Sequence, residues 1–419
     1  MNLLKTSVLN GVAVLVKTAT MFLLNKILAV YVGPAGYAAI GQFQNFIQMI
    51  TTFAGSAINT AVIKYTAEYH DDETKQRTIW KAAGSIVLIF SLFFSIIIFA
   101  FQKQLSIHIF HSNSYQSVFV WFAVFLTFFT FNALFLAILN GKKEVLRFVV
   151  ANIIGSLFSL VVTSILAIKY NLFGALVALS IYQSLAFFVT LFICYKADWF
   201  KLSYLFGSVD KPTAKKFAAF ALMALVSAIC VPLSQMIIRS YLTHEYGLTY
   251  AGYWEAMIRL SAAYLMLVTT TLSVYYLPKL SALSNIQDIK SEVYLGYKFI
   301  FPLAVVGGIV VYLLRDWIIA LLFTNTFLPM RDLFLWQMIG DSLKIGSWIL
   351  AYLMLSKAMT RLFIATEIIF ALTSIILTYT CTQLIGFEGV SVAHLINYGM
   401  YWTVMSYFIF KNLSRKGVV

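Results

Sequence analysis

Apolar runs of 18 or more residues recur about twelve times in this chain, and nothing else in the sequence restricts its fold so strongly. Each run is long enough to cross a hydrocarbon layer about 30 Å thick as a helix. Inside that layer the backbone finds no water, so each crossing must close its own hydrogen bonds. The period-two alternation of a membrane β-barrel is absent. Composition agrees, with 61% hydrophobic and 11% charged residues, against about a quarter charged in soluble domains. The expected class is an all-α integral membrane protein with 12 transmembrane helices. Its spans fall near residues 8–32, 36–62, 82–102, 116–139, 148–168, 173–195, 217–239, 252–277, 297–314, 333–356, 362–384 and 389–410. The first run carries Lys17, Asn25 and Lys26 and has no small-residue cleavage site after it, so it reads as a retained helix, not a signal peptide.

The net charge of +14 is spread over many short loops, which argues against nucleic acid as a partner. Sidedness accounts for it. With both termini cytoplasmic, the inside segments hold 21 Lys or Arg, among them Lys64, Lys142, Lys143, Lys215, Lys216, Arg415 and Lys416. The outside loops hold five, Lys103, Lys169, Arg239, Arg315 and Arg331, and that asymmetry sets the orientation. Cys194, Cys230 and Cys381 show no paired spacing and read as packing residues. His108 and His111 lack a third metal ligand, and there is no phosphate-cradling glycine loop.

The longest inside connection, residues 196–216, divides the spans six and six and separates an N-terminal lobe (1–195) from a C-terminal lobe (217–419). Lys143, Arg147 and Ala151 reappear as Lys357, Arg361 and Ala365, an offset of 214. Gly174, Val177, Ala178 and Ile181 reappear as Gly389, Val392, Ala393 and Ile396, an offset of 215. Two matches at nearly one offset point to an internal duplication. Copies with an even number of crossings share one orientation, the parallel-repeat arrangement of transporters that work by alternating access.

Charged and amide groups inside the spans mark candidate functional residues, because an ionised group at mid-helix costs about 2.5–3.5 kcal/mol. Gln337, Asp341, Lys344 and Trp348 share one face of the tenth span. Asp341 and Lys344 could neutralise each other, or Lys344 could meet an anionic group while Trp348 stacks on a sugar ring. Glu255 and Arg259 repeat the carboxylate–cation pairing in the eighth span. Gln44, Gln48, Thr51, Gly55 and Asn59 form a polar stripe along the second, suited to sugar hydroxyls or to interhelical hydrogen bonds. Lys17 sits near the middle of span one, and Lys26 is placed to snorkel to the interface. Glu367 and His394 are the remaining deep titratable groups and the candidates for coupling to an ion, H+ or Na+. A cavity bearing Lys and Arg suits an anionic pyrophosphate and serves organic cations poorly.

Four stretches carry a family likeness: Ala29–Gly36 (AVYVGPAG), Lys64–Asp72 (KYTAEYHDD), Ser273–Ser281 (SVYYLPKLS) and Arg331–Gly346 (RDLFLWQMIGDSLKIG). They resemble blocks of the Wzx-type lipid-linked oligosaccharide flippases, which move O-antigen or enterobacterial common antigen units. The resemblance implies the fold of the multidrug/oligosaccharidyl-lipid/polysaccharide exporter superfamily, two six-helix bundles in a V. It also implies transport of an undecaprenyl-pyrophosphate-linked unit to the periplasmic leaflet of a bacterial inner membrane, with a polysaccharide polymerase downstream. Lys17, Lys26, Asp341 and Lys344 match positions where such flippases carry the same residue types. Glu255 and Arg259 depart from the common-antigen type, which favours an O-antigen unit. No cofactor is implied. A multidrug cation antiporter would carry a carboxylate in span one, where this chain has Lys17, Asn25 and Lys26, and a membrane-embedded glycan polymerase would carry large outer loops.

Overall fold

A computed structural model describes residues 3–283, 285–357 and 359–415, and among them every regular element is helical. Lys416, placed above among the inside cations, lies outside the described residues. The chain runs α1 (Leu3–Tyr31), α2 (Gly33–Phe53), α3 (Asn59–Glu68), α4 (Glu73–Ala100), α5 (Gln102–Phe110), α6 (Gln116–Gly141), α7 (Val145–Tyr195) and α8 (Lys211–Tyr246). It continues through α9 (Leu248–Thr271), α10 (Leu277–Ala282), α11 (Ile286–Leu313), α12 (Arg315–Leu322), α13 (Phe334–Ser356), α14 (Thr360–Ile385) and α15 (Gly389–Arg415).

Eight of the described helices are long and apolar enough to cross a membrane, and the bent pair Gly33–Phe53 and Ser56–Glu68 makes up to nine. Helix α7, 51 residues long, breaks at Tyr170 and Asn171 and therefore supplies two crossings. Helices α9 and α15, at 24 and 27 residues, have the length of a span but more polar sequences, and they carry Glu255, Arg259 and His394. Each of the twelve apolar runs thus lies on a helix.

The second span departs from the expected continuous stripe. Its helix bends by 68° between Phe53 and Ser56, where Gly55 has a φ of +132°. Gln44 and Gln48 therefore lie on α2 while Asn59 begins α3, and the polar residues do not form one line.

The chain divides into two compact units. One comprises the N-terminal helix to Gly33 and Ala39–Pro232; the other comprises Pro34–Ala38 and everything from Leu233 onward. In the first, Trp80, Leu134, Phe135, Ile138, Leu205 and Phe217 are among the buried side chains of one core. The 196–216 segment packs into this core, with Phe200 and Leu205 buried. Trp199 Nε1 donates to Glu144 at 3.0 Å and Lys216 Nζ to the Tyr69 hydroxyl at 2.6 Å, while the Ser85 hydroxyl both donates to and accepts from the Gly207 backbone. In the second unit the core gathers Leu265, Leu272, Tyr276, Ile345, Ile349, Met354, Tyr401 and Met405 from α9, α13, α15 and the π-helical turn Leu272–Tyr276.

The repeated glycines perform the same task in both copies. A side chain on Gly174 would place its Cβ 1.9 Å from the Leu166 carbonyl oxygen, and one on Gly389 would sit 2.4 Å from the Cys381 carbonyl. Each glycine faces the residue eight positions earlier, and a left-handed residue stands three positions before it: Asn171 (φ 49°) and Gly386 (φ 76°). The close backbone approach at the turn between paired spans explains why this motif recurs.

Candidate functional site

Helix α13 carries buried polar groups on the face it turns to α9 and α15. Gln337 and Asp341 are buried there, Asp341 completely. The Asp341 carboxylate accepts from the Tyr264 hydroxyl of α9 at 3.0 Å, from Gln337 Nε2 at 3.2 Å and from His394 Nε2 of α15 at 3.0 Å. Gln337 also donates to the Ser261 hydroxyl at 3.4 Å and accepts from Ser391 at 3.4 Å. A carboxylate removed from water needs this many donors to hold its charge.

Asp341 takes its hydrogen-bond partner His394 from α15. The three-residue spacing to Lys344 allows a direct ion pair that is not made, and Lys344 acts on Asp341 only through the Coulombic field. Lys344 instead lies over the rings of Trp348 and Tyr398, 5.0 and 5.3 Å from their centroids. Tyr398 in turn meets the His394 ring edge-on at 4.8 Å. Asp341, His394, Tyr398, Lys344 and Trp348 therefore form one contiguous array. Cation–π attraction holds the Lys344 side chain against these aromatic faces, beside a ring suited to sugar stacking. Glu367, half-buried on α14, lies within electrostatic range of Tyr398 and Tyr401.

A second charged group surrounds Glu255. Its two oxygens meet Arg239 Nη2 at 2.5 Å and Arg259 Nε at 2.8 Å. Arg239 stacks near Trp254 and Arg259 near Tyr37, with centroid distances of 5.5 and 5.4 Å. Arg239 was expected in an outer loop; it lies inside α8 and is 2% exposed. Its partner on α9 explains why a guanidinium is tolerated there, since a buried ion must be paired. Arg259 is thus held by a carboxylate, and the triad keeps one net positive charge.

Lys17 is exposed on α1 of the first unit, Lys26 is half-buried on the same helix, Gln44 is half-buried and Gln48 exposed on α2, and Asn59 is half-buried at the start of α3. The array around Asp341 brings together Gln337, Asp341, Lys344, Trp348 and His394. Tyr264 and Tyr398 belong to it and have no signal in the sequence, since tyrosines are common in apolar helices of this chain.

With this geometry in place, likeness to known proteins decides the kinship. Residues 3–284 match the family described as polysaccharide biosynthesis protein. The chain belongs to that family. It is 31% identical over 404 residues to the lipid III flippase of Escherichia coli (strain K12), which covers 96% of this chain and 97% of the relative, and equally to that of Shigella flexneri. Among solved structures it resembles an inward-facing MATE family transporter of the MOP superfamily, with a TM-score of 0.79 at 13% identity over 95% of this chain and 94% of the other. It also resembles the lipid II flippase MurJ in an inward closed conformation, with a TM-score of 0.73 at 15% identity over 97% and 87%. The fold is that of this transporter superfamily, the protein is a multi-pass membrane protein, and the relatives it resembles in sequence are flippases, not enzymes.

Proposed function

We propose that the protein is a flippase carrying an undecaprenyl-pyrophosphate-linked oligosaccharide, the O-antigen repeat unit, from the cytoplasmic to the periplasmic leaflet of the bacterial inner membrane by alternating access. One observation carries the anionic cargo: the Lys344 ammonium lies over Trp348 and Tyr398 while His394 satisfies Asp341. Pyrophosphate would take charge-assisted hydrogen bonds from Lys344, and Trp348 would stack on a sugar. The full-length likeness to a lipid III flippase supports a lipid-linked glycan over a drug. That same likeness favours a second reading, in which the cargo is lipid III or the enterobacterial common antigen lipid. Lys17, Lys26, Gln44, Gln48, Asn59 and Arg259 are further proposed contacts with the head group, and Glu367 and His394 the candidates for coupling to H+ or Na+. A polysaccharide polymerase would consume the product.

Mass spectrometry of polyprenyl-linked sugars in a gene-deletion strain tests the proposal and names the glycan. An accumulated undecaprenyl-pyrophosphate oligosaccharide is the expected result, and a normal lipid profile would sink it. Lys344→Ala should abolish glycan export at unchanged protein abundance, whereas Lys344→Arg, which keeps the charge, should retain more. Normal export by the Ala variant removes Lys344 from the site.

A further inference from the structure

The surroundings of Asp341 discriminate between the two coupling ions, an inference that rests on the transporter reading above and sharpens it. Hydrogen-bond donors converge on the Asp341 carboxylate: Tyr264 Oη on Oδ2, Gln337 Nε2 and His394 Nε2 on Oδ1, and the Ser261 hydroxyl beside them. Gln337 turns its own oxygen away, toward Ser391. Hard cations bind several oxygen lone pairs at once. Here N–H and O–H hydrogens occupy the positions a sodium ion would need, and side chains from α9, α13 and α15 would have to turn together to admit one.

A proton needs only one acceptor atom. His394 donates to Asp341 through Nε2, which leaves Nδ1 as the atom that gains or loses a proton, with no other bond changed. The His394 side chain is 20% exposed and that of Asp341 0%, so the histidine is the member of the pair that reaches the protein surface and the one through which a proton would be exchanged. The titratable and charged groups facing the pair are Tyr264 from α9, Lys344 from α13, Tyr398 from α15 and, beyond Tyr398, Glu367 from α14. With the imidazole neutral, Asp341, His394 and Lys344 sum to zero charge; with it protonated, to +1. The exchange therefore alters the field at the ammonium assigned to the cargo.

We propose that Asp341 and His394 form a proton-binding site, one that excludes sodium. The test uses purified full-length protein in lipid nanodiscs and infrared difference spectroscopy, stepping pH between about 8 and 5, the range in which a histidine changes charge, and separately exchanging sodium for choline at constant pH. The pH step should give imidazole and carboxylate bands that disappear in His394→Gln and change in Asp341→Asn, and the sodium step should give none. A sodium-induced carboxylate band that Asp341→Asn removes, or pH bands unchanged by His394→Gln, would overturn the proposal. If Asp341→Asn does not fold, the pH arm is decided by His394→Gln, and a sodium-induced carboxylate band in the wild type counts against proton selectivity. Neither arm needs the glycan, so a negative result here leaves the transport reading to the deletion strain.

Discussion

Glu255 is the side chain whose surroundings the sequence least foretells. The four-residue spacing to Arg259 is legible as a helical pair, and that bond forms at 2.8 Å. The shorter bond is to Arg239, sixteen positions earlier on another helix. Removing the carboxylate leaves two guanidinium groups without their counter-charge in a dry interior. Glu255→Gln should therefore destabilise the second unit by about 3–5 kcal/mol, the usual consequence of breaking a buried ion pair. Thermal unfolding in detergent reads this as a lowered midpoint, and an unchanged midpoint would refute the assigned role. The same reasoning applies to Asp341, where the neighbour in sequence loses to a partner 53 positions away because the α13 and α15 faces meet there.

At the scale of elements, the duplication is visible as two matched motifs, and its purpose becomes visible only in the turns. Gly174 and Gly389 admit a backbone carbonyl where a methyl group would collide. Alanine at either position should lower stability by about 1–3 kcal/mol, the range for overpacking a filled site. If the two copies serve one design, the midpoint shifts of Gly174→Ala and Gly389→Ala should be alike; a loss confined to one would show that the turns are not equivalent. The second span shows the limit of pattern reading. Gln44, Gln48, Thr51, Gly55 and Asn59 share a face only in a straight helix, and the 68° bend at Gly55 separates them. Within one sequence window a glycine reads as a spacer as readily as a break.

At the scale of the whole molecule, the membrane class and about twelve apolar runs were legible because hydrocarbon penalises each polar backbone and side chain locally, run by run, whereas the exporter-type fold was legible only through the resemblance of four stretches to a known family. The charge asymmetry carries a further expectation. Neutralising Lys142 and Lys143, placed on the inside by the asymmetry, should weaken the topological signal without touching the Asp341 array. Cysteine-accessibility labelling in whole cells should then show a mixed orientation at the adjoining loops, and labelling identical to the wild type would mean that other loops carry the signal. Lys142 also lies over Trp199 and donates to Gln76 at 3.0 Å, so glutamine is the substitution of choice there: it keeps a donor and a long stem.

By itself the sequence determined that this chain is a membrane protein built of about twelve apolar helical runs and that cations lie within them, and it showed two motifs repeated at nearly one offset, since those properties follow from residues in a single run or at a fixed offset. Only the tertiary structure decided that Asp341 belongs to His394, that Lys344 belongs to two aromatic rings and that Glu255 is shared by two arginines. Charges in an apolar interior find partners by which helix faces cross, and a crossing joins residues that no spacing along the chain brings together.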